Sequence, residues 1–147
     1  MGTHLRAGQR LTASLLTAQS AQSEDTTSRT TTSTSYGNAS GGAFSASVVV
    51  PASGWVMVEM RATQRNSTTN NTITSWNASG STSGTVYTAN DIAALIVNGT
   101  QNQAIDLSYR LASLVPGETL TVTMQHKVNA ASTGTYDYRQ IILVGMP

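Results

Sequence analysis

The chain has no cysteine, which excludes both a disulfide framework and a thiolate metal site. Charged residues make up only 10% of the 147 residues, well below the usual quarter, and the formal net charge is +1. A net charge so close to zero gives no electrostatic basis for binding nucleic acid or an acidic membrane. No apolar run approaches the length that crosses a bilayer. We therefore expect neither a nucleic-acid partner nor membrane insertion.

The sequence also lacks the short motifs of common catalytic and cofactor sites: it has no nucleophile elbow, P-loop, zinc spacing or EF-hand loop. His126 lies in the apolar series of its segment, where a lone histidine is more often a hydrogen-bonded core residue than a ligand. The carboxylates alternate with basic residues, as in Glu59 and Arg61, which favours cross-strand charge pairs over a glycosidase pair. We expect no enzymatic activity, no metal site and no cofactor.

Thr, Ser, Asn and Val are abundant, which suits β-strands with an uncharged solvent face. Several segments alternate apolar and polar residues with period two, and tight turns such as Asn98-Gly99 and Pro116-Gly117 lie between them. About seven or eight strands at this spacing predict an all-β fold, an antiparallel β-sandwich or jelly roll. The alternation defines an expected core of Val56, Val58, Met60, Leu107, Tyr109, Leu111, Leu120, Val122, Met124 and one face of 136–144.

Two parts of the chain need a separate interpretation. The segment from Ile92 to Val97 fits either a helical turn capped by Asn90 or Asp91, or a buried strand. Residues 1–35 differ in composition from the rest and predict an N-terminal docking arm, a short helix followed by a Thr/Ser-rich extended segment. The β-sandwich domain is then expected to occupy 36–147.

The predicted helix of the arm carries a narrow apolar stripe formed by Leu11, Leu15 and Leu16. A stripe this small does not bury itself, so it needs a surface on which to dock. That surface is either the chain's own β domain or a neighbouring subunit. We assign docking to these three leucines.

The last predicted strand has two usable faces, one with Arg139, Ile141 and Leu143 and the other with the alternate residues from Tyr138 to Val144. A single small sandwich buries only one face fully, so the second face requires a partner. We expect a homo-oligomer, specifically a trimer, with Arg139, Ile141 and Leu143 at the subunit interface.

The opening segment Ala7-Gly8-Gln9-Arg10-Leu11-Thr12-Ala13-Ser14-Leu15-Leu16 resembles the start of small virion proteins of actinobacterial tailed phages. The ending is also similar, with the Leu114-Val115-Pro116-Gly117 turn, a Thr-rich strand, and a last strand that carries Arg139 and the apolar run 141–144. The resemblance implies a jelly-roll-like module, often trimeric, displayed on the capsid or tail. It supplies no catalytic residues.

These observations favour a non-enzymatic virion structural protein, either a minor tail protein or a capsid decoration protein, with other phage virion proteins as partners. The opening residues contain no apolar stretch of the signal-peptide kind, so we expect synthesis in the host bacterial cytoplasm and a final location in the virion. The alternative is a receptor-binding module that contacts a host-surface glycan through the loops 65–71 and 77–84. Trp55, Trp76 and the pair of Tyr136 and Tyr138 are candidates for a stacking platform, with core or subunit packing as the other interpretation.

Overall fold

The computed structural model describes residues 19–146, which are entirely β-structure, loops and turns. The predicted all-β sandwich is confirmed, whereas the predicted docking residues Leu11, Leu15 and Leu16 lie outside the described residues. None of residues 19–146 belongs to a helix that could span a membrane. The ten strands are β1 (Ser20–Asp25), β2 (Arg29–Thr31), β3 (Ser45–Val49), β4 (Val56–Asn66), β5 (Asn71–Gly80), β6 (Gly84–Tyr87), β7 (Leu95–Asn98), β8 (Gln103–Leu111), β9 (Thr119–Val128) and β10 (Gly134–Gly145).

The strands form two antiparallel five-stranded sheets that pack face to face. Sheet A has the order β1-β10-β4-β8, and β2 also pairs with β10. Sheet B has the order β3-β9-β5-β6, and β7 also pairs with β5. Most neighbours in each sheet are distant in sequence, which is typical of a jelly-roll arrangement and not of a simple meander.

The core lies between the two sheets, and most of the predicted core residues are buried there, with Trp76 as the largest fully buried side chain. Two predictions were wrong: Leu107 is only half-buried and Tyr109 is 37% exposed. Both lie on β8, which is the edge strand of sheet A and has a neighbour on one side only. An inward-facing side chain at an open edge keeps contact with solvent, and local alternation carries no information about which strand is an edge.

The N-terminal boundary predicted at residue 36 was also wrong. Strand β1 pairs along its whole length with β10, from Ser20 opposite Val144 to Asp25 opposite Arg139. Its inward side chains include Ser23, whose hydroxyl donates to the Ser45 carbonyl at 2.7 Å. Because β1 has almost no apolar residues, its period-two burial gives no hydrophobic signal in the sequence. The β domain therefore includes residues that the sequence assigned to the arm.

The ambiguous segment after Asn90 contains a capped turn followed by a strand, so each of the two predicted structures is present in part. The Asn90 side-chain oxygen accepts hydrogen bonds from the Ile92 and Ala93 backbone N–H groups, at 3.0 and 3.2 Å, and so caps a single turn. The chain then extends into β7, which begins at Leu95 and pairs with β5.

Strand β10 contains an irregularity that the sequence alternation does not reveal. Its register against β4 shifts between Tyr136 and Tyr138, which is a β-bulge. As a result Tyr136 and Arg139 both point into the sandwich, although they have opposite parity in the sequence. The bulge therefore decides which side chains of the last strand face the core.

Candidate interaction surface and buried polar network

The three residues assigned to the subunit interface are buried within the chain's own sandwich. Arg139 is 3% exposed, and Ile141 and Leu143 are both 0% exposed. Strand β10 is an inner strand of sheet A, with β1 and β4 as neighbours, and this face of the strand points towards sheet B. The assignment of Arg139, Ile141 and Leu143 to an interface is therefore wrong, and the opposite face of β10 remains as the candidate.

A buried arginine is compensated by the strand that the sequence placed in the arm. The Arg139 guanidinium donates a hydrogen bond to the Asp25 carboxylate and lies 4.8 Å from the centre of the Phe44 ring. The same carboxylate accepts hydrogen bonds from Arg29 Nε at 3.1 Å and the Thr27 backbone N–H at 2.9 Å. Burial by itself raises the pKa of Asp25, but these hydrogen bonds outweigh it and hold that pKa well below its usual value.

His126 continues the network across the core. Arg139 Nη1 donates to His126 Nε2 at 3.0 Å, so the proton of the neutral ring is on Nδ1, which donates to Thr74 Oγ1 at 3.0 Å. The Thr74 hydroxyl in turn donates to Gln64 Oε1 at 2.7 Å, and Gln64 Nε2 donates to the Thr72 carbonyl at 2.8 Å. Donation thus runs in one direction from Arg139 through His126, Thr74 and Gln64 to the Thr72 carbonyl, and Arg139 also donates the other way, to Asp25 on β1.

The environment of His126 fixes its protonation state. Burial, followed by the charge of Arg139, lowers the pKa of His126 from 6.5 to about 3. The ring is 0% exposed and both nitrogens are engaged in hydrogen bonds. The prediction that His126 is a hydrogen-bonded core residue is confirmed.

The outer face of sheet A carries an apolar strip, which we call the β10 strip, formed by Tyr138, Ile142, Val144 and Met57. The strand registers place Met57 between Val144 on β10 and Arg110 on β8, and place Ile142 beside Glu59. The four side chains of the strip are half-buried in the single chain.

A polar group interrupts the β10 strip. Gln140 lies between Tyr138 and Ile142 on the same face and is 8% exposed, and its amide oxygen has no hydrogen-bond partner among residues 19–146. A buried acceptor without a donor is costly, and Gln140 is the polar side chain that separates Tyr138 from the apolar residues at the end of the strip.

Charged side chains of both signs flank the β10 strip. Arg61 lies directly opposite Asp106 on β8, and Gln140 lies between Arg61 and Glu24. None of these charges forms an ion pair within residues 19–146, where the ion pairs are Asp25 with Arg29 and Arg139, Arg65 with Asp137, and Lys127 with Asp91. The flank carries the acidic residues Glu24, Glu59 and Asp106 and the basic residues Arg61 and Arg110.

The aromatic candidates do not form one platform. Trp76 is buried and stacks on Tyr87 with ring centres 3.9 Å apart, and Tyr136 is 0% exposed. Trp55 is 40% exposed and lies 4.6 Å from the guanidinium of Arg110. The loops proposed for glycan contact are also shorter than expected, because β4 extends to Asn66 and β5 runs from Asn71 to Gly80.

No protein-family model matches this sequence, and no curated protein matches it significantly. Among solved structures, Eiger TNF from S. frugiperda is similar at 10% identity with a TM-score of 0.48, and the match covers 88% of this chain and 93% of that one. The CBM22-1 xylan-binding domain of Paenibacillus barcinonensis Xyn10C matches at 14% identity and a TM-score of 0.38, covering 86% of this chain and 87% of the domain. The enzymatically active domain of bacteriophage CBA120 tailspike protein 4 matches at 10% identity and a TM-score of 0.30, covering 84% of this chain and 19% of that one. At these scores the similarities carry no information about function.

Proposed function

We propose that the chain is a non-enzymatic structural protein on the surface of a bacteriophage particle, part of the tail or a capsid decoration, and that it assembles as a homotrimer through the outer face of sheet A. The observation that carries the assembly is the β10 strip, an apolar surface flanked by charges of both signs that form no ion pair among residues 19–146. A partner surface of one charge sign can pair with only the acidic or only the basic residues of the flank, whereas a second copy of the chain carries charges of both signs. The phage assignment is supported by the resemblance at the two ends of the sequence.

The attachment belongs to the segment that precedes β1, with Leu11, Leu15 and Leu16 as the docking residues. Strand β1 is fixed to the core of the sandwich by the ion pair of Asp25 with Arg139. A pulling force on the N-terminal segment therefore acts on the hydrogen-bonded strands β1 and β10 and not on an unpaired linker. This connection suits a domain that is held on a particle by its N-terminal end.

The assembly is tested on the purified protein by light scattering coupled to size-exclusion chromatography. We expect a trimer for the natural sequence and a monomer for Ile142→Glu, which places a charge in the middle of the β10 strip. Val49→Glu is the matched control, because Val49 is 43% exposed on β3 of the other sheet. A monomeric natural protein, or an Ile142→Glu variant that keeps its mass, contradicts the proposal.

The attachment is tested with phage particles that lack the natural protein. The triple variant of Leu11, Leu15 and Leu16 to Ser is expected to keep its fold and its trimer but to lose particle binding. Particle binding equal to that of the natural sequence contradicts the docking role. A shorter protein that starts at Tyr36 lacks β1 and β2 and so is expected not to fold.

A further inference from the structure

A polar groove crosses the outer face of sheet B, on the opposite side of the molecule from the β10 strip. Strands β9, β5 and β6 form its floor, Asn38 and Ala43 lie on one side, and Thr88 follows β6 on the other. Its volume is about 510 Å³, which lies in the range of small-molecule binding sites. We call it the sheet B groove.

The groove is lined by amides and hydroxyls. None of the ten described residues that line it is ionisable and none is aromatic. Thr123 lies on the floor and shares a hydrogen bond of 2.8 Å with Ser45, while Thr85 and Ser79 have no side-chain hydrogen bond with residues 19–146. Each hydroxyl both donates and accepts, so the lining matches a partner of the same kind.

Hydrogen bonds within the protein determine whether each amide side chain of the groove presents its oxygen or its NH₂ group to a ligand. Gln125 is 9% exposed, and its Nε2 donates to Asn38 Oδ1 at 3.3 Å and to the Met124 carbonyl at 3.1 Å. Its side-chain oxygen has no partner among residues 19–146 and remains as an acceptor. Asn77 is oriented in the opposite sense, since its oxygen accepts the Ala89 backbone N–H at 2.8 Å and leaves the NH₂ group as a donor. The groove therefore offers an acceptor and a donor on adjacent strands.

This lining discriminates between classes of ligand. A charged ligand loses its hydration in the groove without meeting a counter-charge, and an apolar ligand leaves the amides of Gln125 and Asn77 unpaired. A ligand rich in hydroxyl groups satisfies both requirements. We propose that the sheet B groove binds a neutral glycan, held by hydrogen bonds to the edges of its sugar rings and not by stacking on an aromatic side chain.

The test uses the full-length protein with cellohexaose, xylohexaose and mannohexaose as neutral probes and hexagalacturonate as the acidic probe, with binding measured by isothermal titration calorimetry. Thr85→Val removes one hydroxyl while keeping the shape of the side chain, and Gln125→Met removes the amide at similar length. Thr135→Val is the matched control, because Thr135 lies on β10 and outside the groove. The mass of each variant is measured in the same samples.

We expect at least one neutral hexasaccharide to bind, each groove variant to weaken that binding about tenfold, and Thr135→Val to leave it unchanged. Binding of none of the neutral probes, stronger binding of hexagalacturonate, or unchanged binding in both groove variants overturns the proposal. The groove variants are expected to keep the mass of the natural protein. Failure of the glycan site is thereby distinguished from failure of the proposed assembly, which the mass measures.

Discussion

The buried histidine makes the stability of the folded protein depend on pH in a range where few other groups titrate. In the unfolded chain His126 takes up a proton near pH 6.5, whereas burial and Arg139 lower its pKa to about 3 in the folded protein. Between these two values the unfolded state binds a proton that the folded state does not. Stability is therefore fully present above pH 6.5 and falls as the pH falls towards 3.

The size of this effect follows from the two pKa values. Each pKa unit corresponds to 1.36 kcal/mol, so lowering the pH from 7 to 5 is expected to reduce the free energy of unfolding by about 2 kcal/mol. The carboxylates contribute little in this interval, because their unfolded pKa values lie near 4. The loss is thus attributable to one imidazole.

The assay is urea unfolding followed by tryptophan fluorescence, at a fixed protein concentration because the proposed assembly would also contribute to stability. His126→Gln keeps one donor and one acceptor but has no titrating group, so its stability is expected to be flat between pH 7 and pH 5. His4→Gln is the control, since it removes the only other histidine of the sequence and is expected to retain the slope. A natural protein that loses less than about 0.5 kcal/mol between these pH values refutes the reasoning, as does a His126→Gln variant with the same slope.

Three further predictions concern single contacts, each measured by urea unfolding at pH 7. Asp25→Ala leaves the buried Arg139 without its carboxylate and is expected to lower the free energy of unfolding by about 3 kcal/mol. Asp137→Ala removes the half-exposed pair with Arg65 and an exposed hydrogen bond from Ser28, and is expected to lower it by under about 1 kcal/mol; equal losses contradict the role of Asp25. Gly54→Ala is expected to lower the free energy of unfolding more than Gly84→Ala does. Both glycines have φ +71, but a Cβ at Gly54 would lie 2.8 Å from the Leu114 carbonyl oxygen, whereas a Cβ at Gly84 would meet nothing within 4 Å. The reverse order of the two losses contradicts this prediction. Glu118→Ala is expected to lower the stability, because the carboxylate accepts the Thr82, Ser83 and Val115 backbone N–H groups at 3.0–3.1 Å and joins two loops; unchanged stability contradicts that role.

Local patterns in the sequence were enough to predict the fold class and the inner strands. Period-two alternation is a local property of the chain, so Val58, Leu120 and Val122 are assigned to the core without knowledge of their neighbours. The interpretation of His126 as a core residue was available for the same reason. The Asn90 cap was readable too, because a capping side chain acts only on the residues that follow it.

Pairing between distant segments determines which strands are edges, where β10 changes face and which polar residues are buried. Tyr109 is exposed because β8 has one neighbour, and Tyr136 is buried because a bulge shifts the register. Arg139 lies in the core because Asp25, remote in sequence, compensates its charge. The sheet B groove likewise joins Asn38, Asn77 and Gln125 from three separate parts of the chain. These features depend on pairings between distant segments, about which the alternation within one segment carries no information.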